Sequence, residues 1–280
     1  IRELEDKIGQ TRILGKKVSY EIYDAEGIGS RQEKQLQEMY AQDYDVMLVN
    51  LVEPASAASV LTDAKDADIP VILFNREIDE KDLKISKNVW YVGTDARAAG
   101  VMQGKLLKDL WKKQSRILDW NGNGVLDYVL VEGEESHFDA IRRTSGFLET
   151  GAELPLNQKG NILAEWKREL AYEKFAALDD EAVQNVEAVI CNNDDMALGV
   201  YDYYKEKNLK LPVIIGINNS EEMHQKIMSG EMYGTIDNKM EDQVMEICRL
   251  MQAILKKDTG SYQKVWYSTP KAIVKAEGTE

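Results

Sequence analysis

Cysteine and histidine are scarce in this sequence of 280 residues, which contains two of each. Cys191 and Cys248 lie in apolar or helical patterns typical of small core residues, so we do not expect a disulfide bond. No Cys-x-x-Cys pair and no Cys/His cluster indicates a zinc site or thiol redox chemistry. A P-loop, a Gly-x-Ser-x-Gly turn and a dinucleotide-binding glycine motif are also absent. The sequence therefore favours a binding protein over these classes of enzyme.

Positive charge is also in deficit, and long apolar runs are missing. Lys and Arg total 35 against 49 Asp and Glu, which gives a formal net charge of −14. Such a chain repels phosphates, which argues against nucleic acids and anionic membranes as partners. No apolar run approaches the ~20 residues that a membrane-spanning helix needs. The chain opens with the charged sequence IRELEDKI, but a mature form loses its signal peptide, so this opening does not establish a cytoplasmic location.

What the sequence does contain is a regular alternation of apolar, β-branched runs and amphipathic stretches. The apolar runs predict strands at 18–25, 45–52, 70–75, 90–95, 127–133, 186–193, 212–218 and 234–238. The amphipathic stretches predict helices at 31–42, 56–67, 96–113 and 240–256. Ser30 and Glu33 are spaced as a capping box for the first of these helices.

This alternation favours parallel sheets with helical crossovers, and strands that are apolar throughout have both faces covered. Eight or more such strands in one chain fit two βαβ lobes better than one wide sheet. We therefore predict an α/β protein with two Rossmann-like lobes.

Polar side chains recur where the predicted strands end: Asn75, Asp95, His137, Asp139, Asn193, Asn218 and Asn238. Ligands of open α/β sheets bind beyond the carboxyl ends of the strands. Amides and carboxylates with little positive charge suit a neutral polyol better than a phosphate or a carboxylate. The alternative is that Asn and Asp only occupy turns and helix N-termini there. The whole set, with Arg143 and Trp166 in the same pattern, favours a binding site.

The segment DWNGNGVLD (119–127) has the spacing of a calcium loop of the EF-hand type. Asp119, Asn121 and Asn123 fall at alternate positions, the Val125 carbonyl is available, and Asp127 takes the ninth place. The usual twelfth-position Glu is absent, so a bidentate carboxylate has to come from elsewhere. The alternative is a Gly/Asn-rich turn without a metal.

These segments together resemble the galactose/glucose-binding proteins of bacterial sugar transport and chemotaxis, which are type I periplasmic binding proteins. The resemblance covers nearly the whole chain, in VNLVEPASA, PVILFNRE, YVGTDARAAGVMQGKLL, DWNGNGVLD, VEGEESHFDAIRRT, CNNDDMALG and GTIDN. The family implies two similar lobes, three hinge crossovers and closure around a hexose. The lobes that we expect are 1–94 plus 239–268, and 95–238 plus 269–280, with crossovers near Asp95, Asn238 and Thr269.

The resemblance also implies site residues. The sugar-binding positions would be Asn75, His137, Asp139, Arg143, Asn193, Asn218 and Asn238, with Trp166 as the aromatic that stacks on one sugar face. The ligands of a structural Ca²⁺ would be Asp119, Asn121, Asn123, the Val125 carbonyl, Asp127 and Glu187. Without the resemblance, His137 is equally well a turn histidine and Trp166 a plain core residue.

Two departures from the family pattern bear on function. The family has Asp where this chain has Asn218, so affinity or epimer preference is open and a different small sugar becomes plausible. The family also begins with a strand that supplies an Asp and an aromatic residue, and by ordinary element lengths roughly 20 residues are missing here. Either the numbering starts late or the chain is truncated; a truncated chain is expected to lack a central strand of the first lobe.

The implied partners are a monosaccharide, galactose or glucose, and the membrane permease of an ABC transporter, with a chemoreceptor left open. We expect a monomer that binds no nucleic acid and is located outside the cytoplasm. That place is the periplasm, or a lipid-anchored position outside the membrane of a Gram-positive cell.

Two rival functions remain open at this point. The effector-binding part of LacI-type transcriptional regulators shares the two-lobe fold, but the chain shows no basic surface. A glycoside hydrolase needs paired carboxylates. Glu134 and Asp139 are close in sequence, but Glu134 is better explained as a solvated turn residue.

Overall fold

The computed structural model describes residues 2–13, 15–178 and 183–275. The chain divides into two compact units, residues 1–94 with 239–268 and residues 95–238 with 269–280. The chain therefore passes from one unit to the other three times, after Thr94, Asn238 and Ser268. Within the described ranges, no helix combines the length and the apolar character needed to cross a lipid bilayer.

Unit 1 is built around a parallel sheet of four strands. Its helices are α1 (Arg2–Gln10), α2 (Gly29–Tyr40), α3 (Ala57–Asp66) and α9 (Met240–Leu255). Its strands are the hairpin β1 (Arg12–Ile13) and β2 (Lys16–Lys17), and then β3 (Met47–Val49), β4 (Val71–Phe74), β5 (Val89–Thr94) and β11 (Val265–Ser268). The sheet order is β11-β5-β4-β3, and each neighbouring pair is parallel. Buried apolar clusters cover both faces of this sheet.

Unit 2 contains a six-stranded sheet of order β12-β10-β9-β8-β6-β7. Its strands are β6 (Leu126–Glu132), β7 (Leu156–Leu163), β8 (Ala188–Cys191), β9 (Val213–Ile217), β10 (Gly234–Asp237) and β12 (Lys271–Val274). All pairs are parallel except the antiparallel pair of β10 and β12. The helices are α4 (Ala96–Leu118), α5 (Phe138–Gly151), α6 (Arg168–Ala176), α7 (Asp194–Glu206) and α8 (Glu221–Ser229).

The central strands of unit 2 are buried from end to end, which explains their continuous apolar sequences. Every residue of β8 is buried, and so are all residues of β9 after Val213. A parallel strand covered by helices on both faces has no solvent side to alternate with. The prediction of an α/β fold with mostly parallel sheets is therefore confirmed.

Several element boundaries differ from the prediction. Residues 18–25 have strand composition but are not a strand in the structure. Helix α2 begins at Gly29 with Ile28 as its N-cap and has no side-chain cap bond, so the capping box at Ser30 and Glu33 is wrong. Helix α4 continues to Leu118, with irregular backbone at Gln114.

Among the described strands, five were not predicted: β1, β2, β7, β11 and β12. β7 lies at the edge of its sheet and is largely polar and exposed, so it lacks the apolar signal of a central strand.

Candidate functional site

The candidate site lies at the carboxyl ends of the unit 2 strands. After β6 the chain goes outward to β7 and then returns to β8 on the other side of β6. Such a reversal of strand order opens a crevice where ligands of α/β proteins bind. His137, Asp139 and Arg143 follow β6, and Asn193 follows β8. The fold thus places four of the predicted residues on the two sides of this crevice.

His137 is the N-cap of helix α5. Its Nδ1 accepts a hydrogen bond of 3.1 Å from the backbone N–H of Asp139. Because Nδ1 is an acceptor, the proton of the neutral ring is on Nε2. The ring lies edge-on to the indole of Trp166, with 5.1 Å between centroids. His137 is therefore both a cap and part of an aromatic wall.

Asp139 and Arg143 lie one turn apart on α5, and both are buried. Arg143 Nη2 is 3.7 Å from Asp139 Oδ2, which is an ion pair without a close hydrogen bond. Asp139 Oδ1 is buried and has no hydrogen-bond partner among the described residues. An acceptor of this kind costs about 1–3 kcal/mol unless a ligand or water supplies a donor. Asp139 is thus poised to accept from a hydroxyl group.

Arg143 is held in place by the end of strand β8. Its Nη1 donates to the backbone carbonyl of Asn192 over 2.7 Å, and its guanidinium lies over the Trp166 ring at 5.5 Å from the centroid. The contact with the carbonyl fixes the donor fork beside Asp139. A fixed fork of donors next to a fixed acceptor suits vicinal hydroxyls.

Trp166 occupies a strained turn between β7 and α6. Glu165 and Trp166 both have positive φ, 50° and 65°, which is uncommon for side chains of this size. The ring packs against Gly133, where a Cβ atom would come within 2.2 Å of the indole. Its Nε1 is buried, with no hydrogen-bond partner among the described residues. The turn therefore holds a flat apolar surface against the end of β6.

Asn193 is committed to the scaffold through both ends of its amide. Its Oδ1 accepts from Met196 N as the N-cap of α7, and its Nδ2 donates to the carbonyl of Trp166, each at 3.0 Å. One amide hydrogen and one lone pair remain. Asn193 is thus a helix cap, as the alternative interpretation of these Asn residues expected. It still has one donor and one acceptor that a ligand could use.

Asn218 and Asn238 follow neighbouring strands and contact each other. Asn238 Nδ2 donates to Asn218 Oδ1 over 3.0 Å. Asn218 is exposed and has φ of 132°, whereas Asn238 is buried. The structure therefore brings these two predicted residues together at the ends of β9 and β10.

Asn75 belongs to unit 1, unlike the seven other predicted sugar residues. It follows β4, is exposed and has φ of 66°. Its Nδ2 donates to Asn50 Oδ1 over 3.4 Å, and its carbonyl accepts from the Tyr91 hydroxyl over 2.9 Å. The left-handed backbone turns the Asn75 side chain out of the line of the strand.

Sequence reasoning missed two buried polar residues in the CNNDD segment. Asn192 is fully buried and accepts from Gly133 N, which links the ends of β8 and β6. Asp194 accepts from Ser220 N over 2.7 Å and from the Thr235 hydroxyl over 2.6 Å. Burial raises the pKa of Asp194 to about 6. The segment itself was the signal, but only contacts show which polar residue points inward.

The loop 119–127 is closed by its own side chains and by Glu187. Asp119 accepts from the backbone amides of Asn123 and Gly124, and Asp127 Oδ2 accepts from Asn121 Nδ2. Glu187 is fully buried, and its two oxygens accept from Asn121 N over 3.3 Å and Asp127 N over 3.0 Å. The structure thus brings Glu187 to the loop.

The donor set of this loop consists of oxygens only, which is the chemistry that Ca²⁺ prefers. In the part of the chain that the structure describes, no three His, Cys, Asp or Glu side chains are grouped so that they could hold a metal ion. A metal here would therefore need oxygens of Asn121 and Asn123 and the Val125 carbonyl beside the carboxylates. Burial raises the pKa of Glu187, against the opposing effect of the backbone amides.

Known proteins resemble this chain over most of its length. The D-galactose/methyl-galactoside binding periplasmic protein of Haemophilus influenzae is 31% identical over 251 residues, 87% of this chain and 74% of the relative. A galactofuranose-binding protein of Escherichia coli is 27% identical over 244 residues, 84% of this chain and 72% of the relative.

Solved structures match the fold. An ABC transporter periplasmic solute binding protein from Actinobacillus succinogenes, with bound D-allose, has a TM-score of 0.81 at 19% identity and covers 98% of this chain and 91% of its own. A myo-inositol binding protein of Caulobacter has a TM-score of 0.80 at 22% identity, with 98% of this chain and 86% of its own covered. The family model described as periplasmic binding protein domain matches residues 10–259. The chain belongs to the periplasmic binding protein family.

Proposed function

We propose that this protein binds a monosaccharide, galactose or glucose, outside the cytoplasm and delivers it to the permease of an ABC transporter. The observation that carries the proposal is the buried Asp139 carboxylate, whose Oδ1 has no partner among the described residues, beside the fixed guanidinium of Arg143. Membership of the periplasmic binding protein family supports the extracytoplasmic location and the transport role.

The relatives support a neutral, polyhydroxylated ligand. The relatives and the similar solved structures are proteins that bind D-galactose, galactofuranose, xylitol, D-allose and myo-inositol. These compounds share several hydroxyl groups and no charge. The unit 2 crevice suits that class, because its acceptor, donor fork and indole face each match one part of a pyranose.

Each residue then has a role in sugar binding. Asp139 accepts from one hydroxyl, and Arg143 donates to the neighbouring one. Trp166 packs on the C–H face of the ring, and Asn193 uses its remaining amide capacity. Asn218 and Asn238 act as one amide pair.

The same arrangement leaves a different small sugar as the second candidate. The family resemblance implies a carboxylate where this chain has Asn218, and Asn218 Oδ1 already accepts from Asn238. An amide that is paired in this way offers a donor where a carboxylate would offer an acceptor. The epimer preference is therefore expected to differ from that of relatives with Asp at this position.

Calcium is proposed as a structural ion of unit 2. Asp119, Asn121, Asn123, Asp127 and Glu187 and the Val125 carbonyl would hold it, and a hard cation of this kind would stabilise the loop between α4 and β6. The ion would neutralise the carboxylates that meet there. The position of Glu187 beside the loop supports this proposal.

The function is tested by isothermal titration of the protein with galactose, glucose, allose, methyl galactofuranoside and myo-inositol in the presence of calcium. We expect galactose or glucose to bind at micromolar concentration or tighter, and a charged control such as glucose 6-phosphate not to bind. Heat from none of these compounds would contradict the proposal. Heat from another of them, but from neither galactose nor glucose, would support the second candidate.

A further inference from the structure

Gln103 is a fully buried polar residue. Along the sequence it is distant from every residue that we assign to the ligand site. It is on helix α4 and is 0% exposed. Its Nε2 lies 2.9 Å from the carbonyl oxygen of Cys191 and 3.2 Å from the carbonyl oxygens of Ile215 and Gly216. One side chain of a helix therefore reaches Cys191, the last residue of β8, and two residues near the end of β9.

The hydrogen-bond count shows what this side chain does. An amide nitrogen has two hydrogens, and three carbonyls compete for them, so one hydrogen is shared. The shared one goes to Ile215 and Gly216, which are adjacent and equally distant. Gln103 Oε1 is buried and has no partner among the described residues. The hydrogen bonds of this side chain with the described residues are thus made through its Nε2 donors.

Gln103 links β8 and β9 at the point where the direct pairing of these two strands ends. We call this link the bridge. The register of β8 and β9 ends at the pair Ile190 and Ile215. Beyond that pair, Gln103 connects Cys191 to Ile215 and Gly216, in place of direct pairing between the strands. The side chain therefore sets the separation of the two strand ends.

Candidate ligand residues leave the sheet directly after this bridge. Asn192 follows Cys191, and its carbonyl accepts from the Arg143 guanidinium. Asn218 follows Ile217 and contacts Asn238. Packing at Gly216 is close, since a Cβ atom there would lie 2.2 Å from Asp194 Oδ1. A shift at the bridge therefore reaches Arg143 in the unit 2 crevice on one side of β8, and the amide pair of Asn218 and Asn238 on the other side.

We propose that Gln103 is a positioning residue, which sets the spacing between the ends of β8 and β9 and through it the affinity and selectivity for sugar. The proposal rests on the proposed function and adds a residue that touches no ligand. Its effect reaches Arg143 through Asn192, and reaches Asn238 through Asn218.

The test compares Gln103→Met with Tyr204→Phe. Met has a similar length and no donor, so it removes the bridge without a cavity. Tyr204 is also buried in unit 2, and its hydroxyl donates to the Val183 carbonyl over 2.9 Å near the other end of α7. Tyr204→Phe therefore removes a buried hydrogen bond of the same unit, away from the strand ends.

Two measurements are made on both variants. Amide hydrogen exchange needs no ligand, and the amides of Asn192 and Asn218 are bonded to Val131 and Ile236. We expect both amides to exchange faster in Gln103→Met and to be unchanged relative to neighbouring amides in Tyr204→Phe. In calorimetry, Gln103→Met is expected to weaken sugar binding about three- to tenfold, the loss of about one hydrogen bond, and to change the galactose-to-glucose ratio.

Each result has a definite meaning. Unchanged exchange at Asn192 and Asn218 would overturn the positioning role, and so would equal losses of affinity in the two variants with an unchanged sugar ratio. Faster exchange in a protein whose wild type binds none of the sugars would leave the bridge in place and refute the proposed function instead.

Discussion

Asp139 is the single residue on which the proposed binding chemistry depends most. Asp139→Asn keeps the shape of the side chain but turns a charged acceptor into a group that also donates. A charge-assisted hydrogen bond contributes about 1.5–3 kcal/mol, so we expect affinity for the preferred sugar to fall by about 10- to 100-fold. The variant also loses the ion pair with the buried Arg143, so its melting temperature is expected to fall and is measured beside the affinity.

The measurement is calorimetric titration of Asp139→Asn, with Ser145→Ala as the control. Ser145 lies on the same helix and is exposed, with its hydroxyl bonded to the Arg142 carbonyl. Equal affinities in Asp139→Asn and the wild type would remove Asp139 from the site.

Asp194 is expected to make stability depend on pH. Burial raises its pKa from 3.8 to about 6, so the folded state disfavours the ionised form. The resulting stability is fully present below pH 4 and is lost as the pH rises through 6. Relative to Asp194→Asn, the wild type should therefore gain about 1 kcal/mol in free energy of unfolding between pH 7 and pH 5.

Urea denaturation of both proteins at the two pH values measures this gain. Asp194→Asn is the reference for the wild type. The other titrating groups are the same in both proteins, so their effect on the free energy of unfolding cancels in the difference. A difference between the two proteins that does not change with pH would show that Asp194 does not titrate in this range.

Sequence patterns could name candidate site residues but not their geometry. The CNNDD segment drew attention to position 193, whereas the buried partners of the strand ends are Asn192 and Asp194. Nothing in the sequence distinguishes an inward from an outward Asn in such a turn. Gln103 was missed for a related reason, since a Gln in a helical pattern is typical of a solvated face and is buried here by contacts that are distant in sequence.

At the scale of elements, the buried parallel strands were predictable, whereas the edge strands β7, β11 and β12 were not. β8 and β9 are apolar throughout, because helices cover both faces. β7 has the sequence LNQKGNIL, with a shift of register against β6 at Tyr128 and Val129. At residues 18–25 a strand was predicted and none is present. A segment with the composition of a strand forms one only where a neighbouring strand is available for pairing.

At the scale of elements, calcium binding by the loop between α4 and β6 can be tested through thermal stability. If calcium binds there, a chelator should lower the melting temperature by about 5–10 °C, the shift for an ion at about a hundred times its Kd. Asp119→Asn is the informative variant, because it removes one charge while its amide oxygen can still accept from one of the two backbone amides, Asn123 or Gly124, that now bond to separate carboxylate oxygens. We expect its response to chelation to be much smaller.

Differential scanning calorimetry with and without chelator measures this response. The protein is titrated back with calcium and, separately, with magnesium, which fits a flexible loop of many oxygens less well. An unchanged melting temperature on chelation would refute the calcium site.

At the scale of the whole molecule, neither unit is a continuous stretch of chain. Unit 1 needs β11 for the edge of its four-stranded sheet and α9 for one face of its core. We therefore expect residues 1–94 alone to show no cooperative thermal transition. The same residues joined by a short linker to residues 239–268 contain the whole sheet and should regain one.

Circular dichroism during heating distinguishes the two fragments. A cooperative transition in the shorter fragment would show that β11 and α9 are dispensable for the core of unit 1.

The triple crossing of the chain also sets an order of events during synthesis. The ribosome makes residues 95–238 before it reaches α9 and β11, so most of unit 2 emerges while unit 1 still lacks one edge and one face. The antiparallel strand β12, which pairs with β10, emerges last among the described strands. Synthesis of unit 1 thus begins first, but its sheet and core cannot be completed until nearly all of unit 2 has been made. A chain interrupted before that point presents the open apolar face of unit 1 to chaperones and proteases.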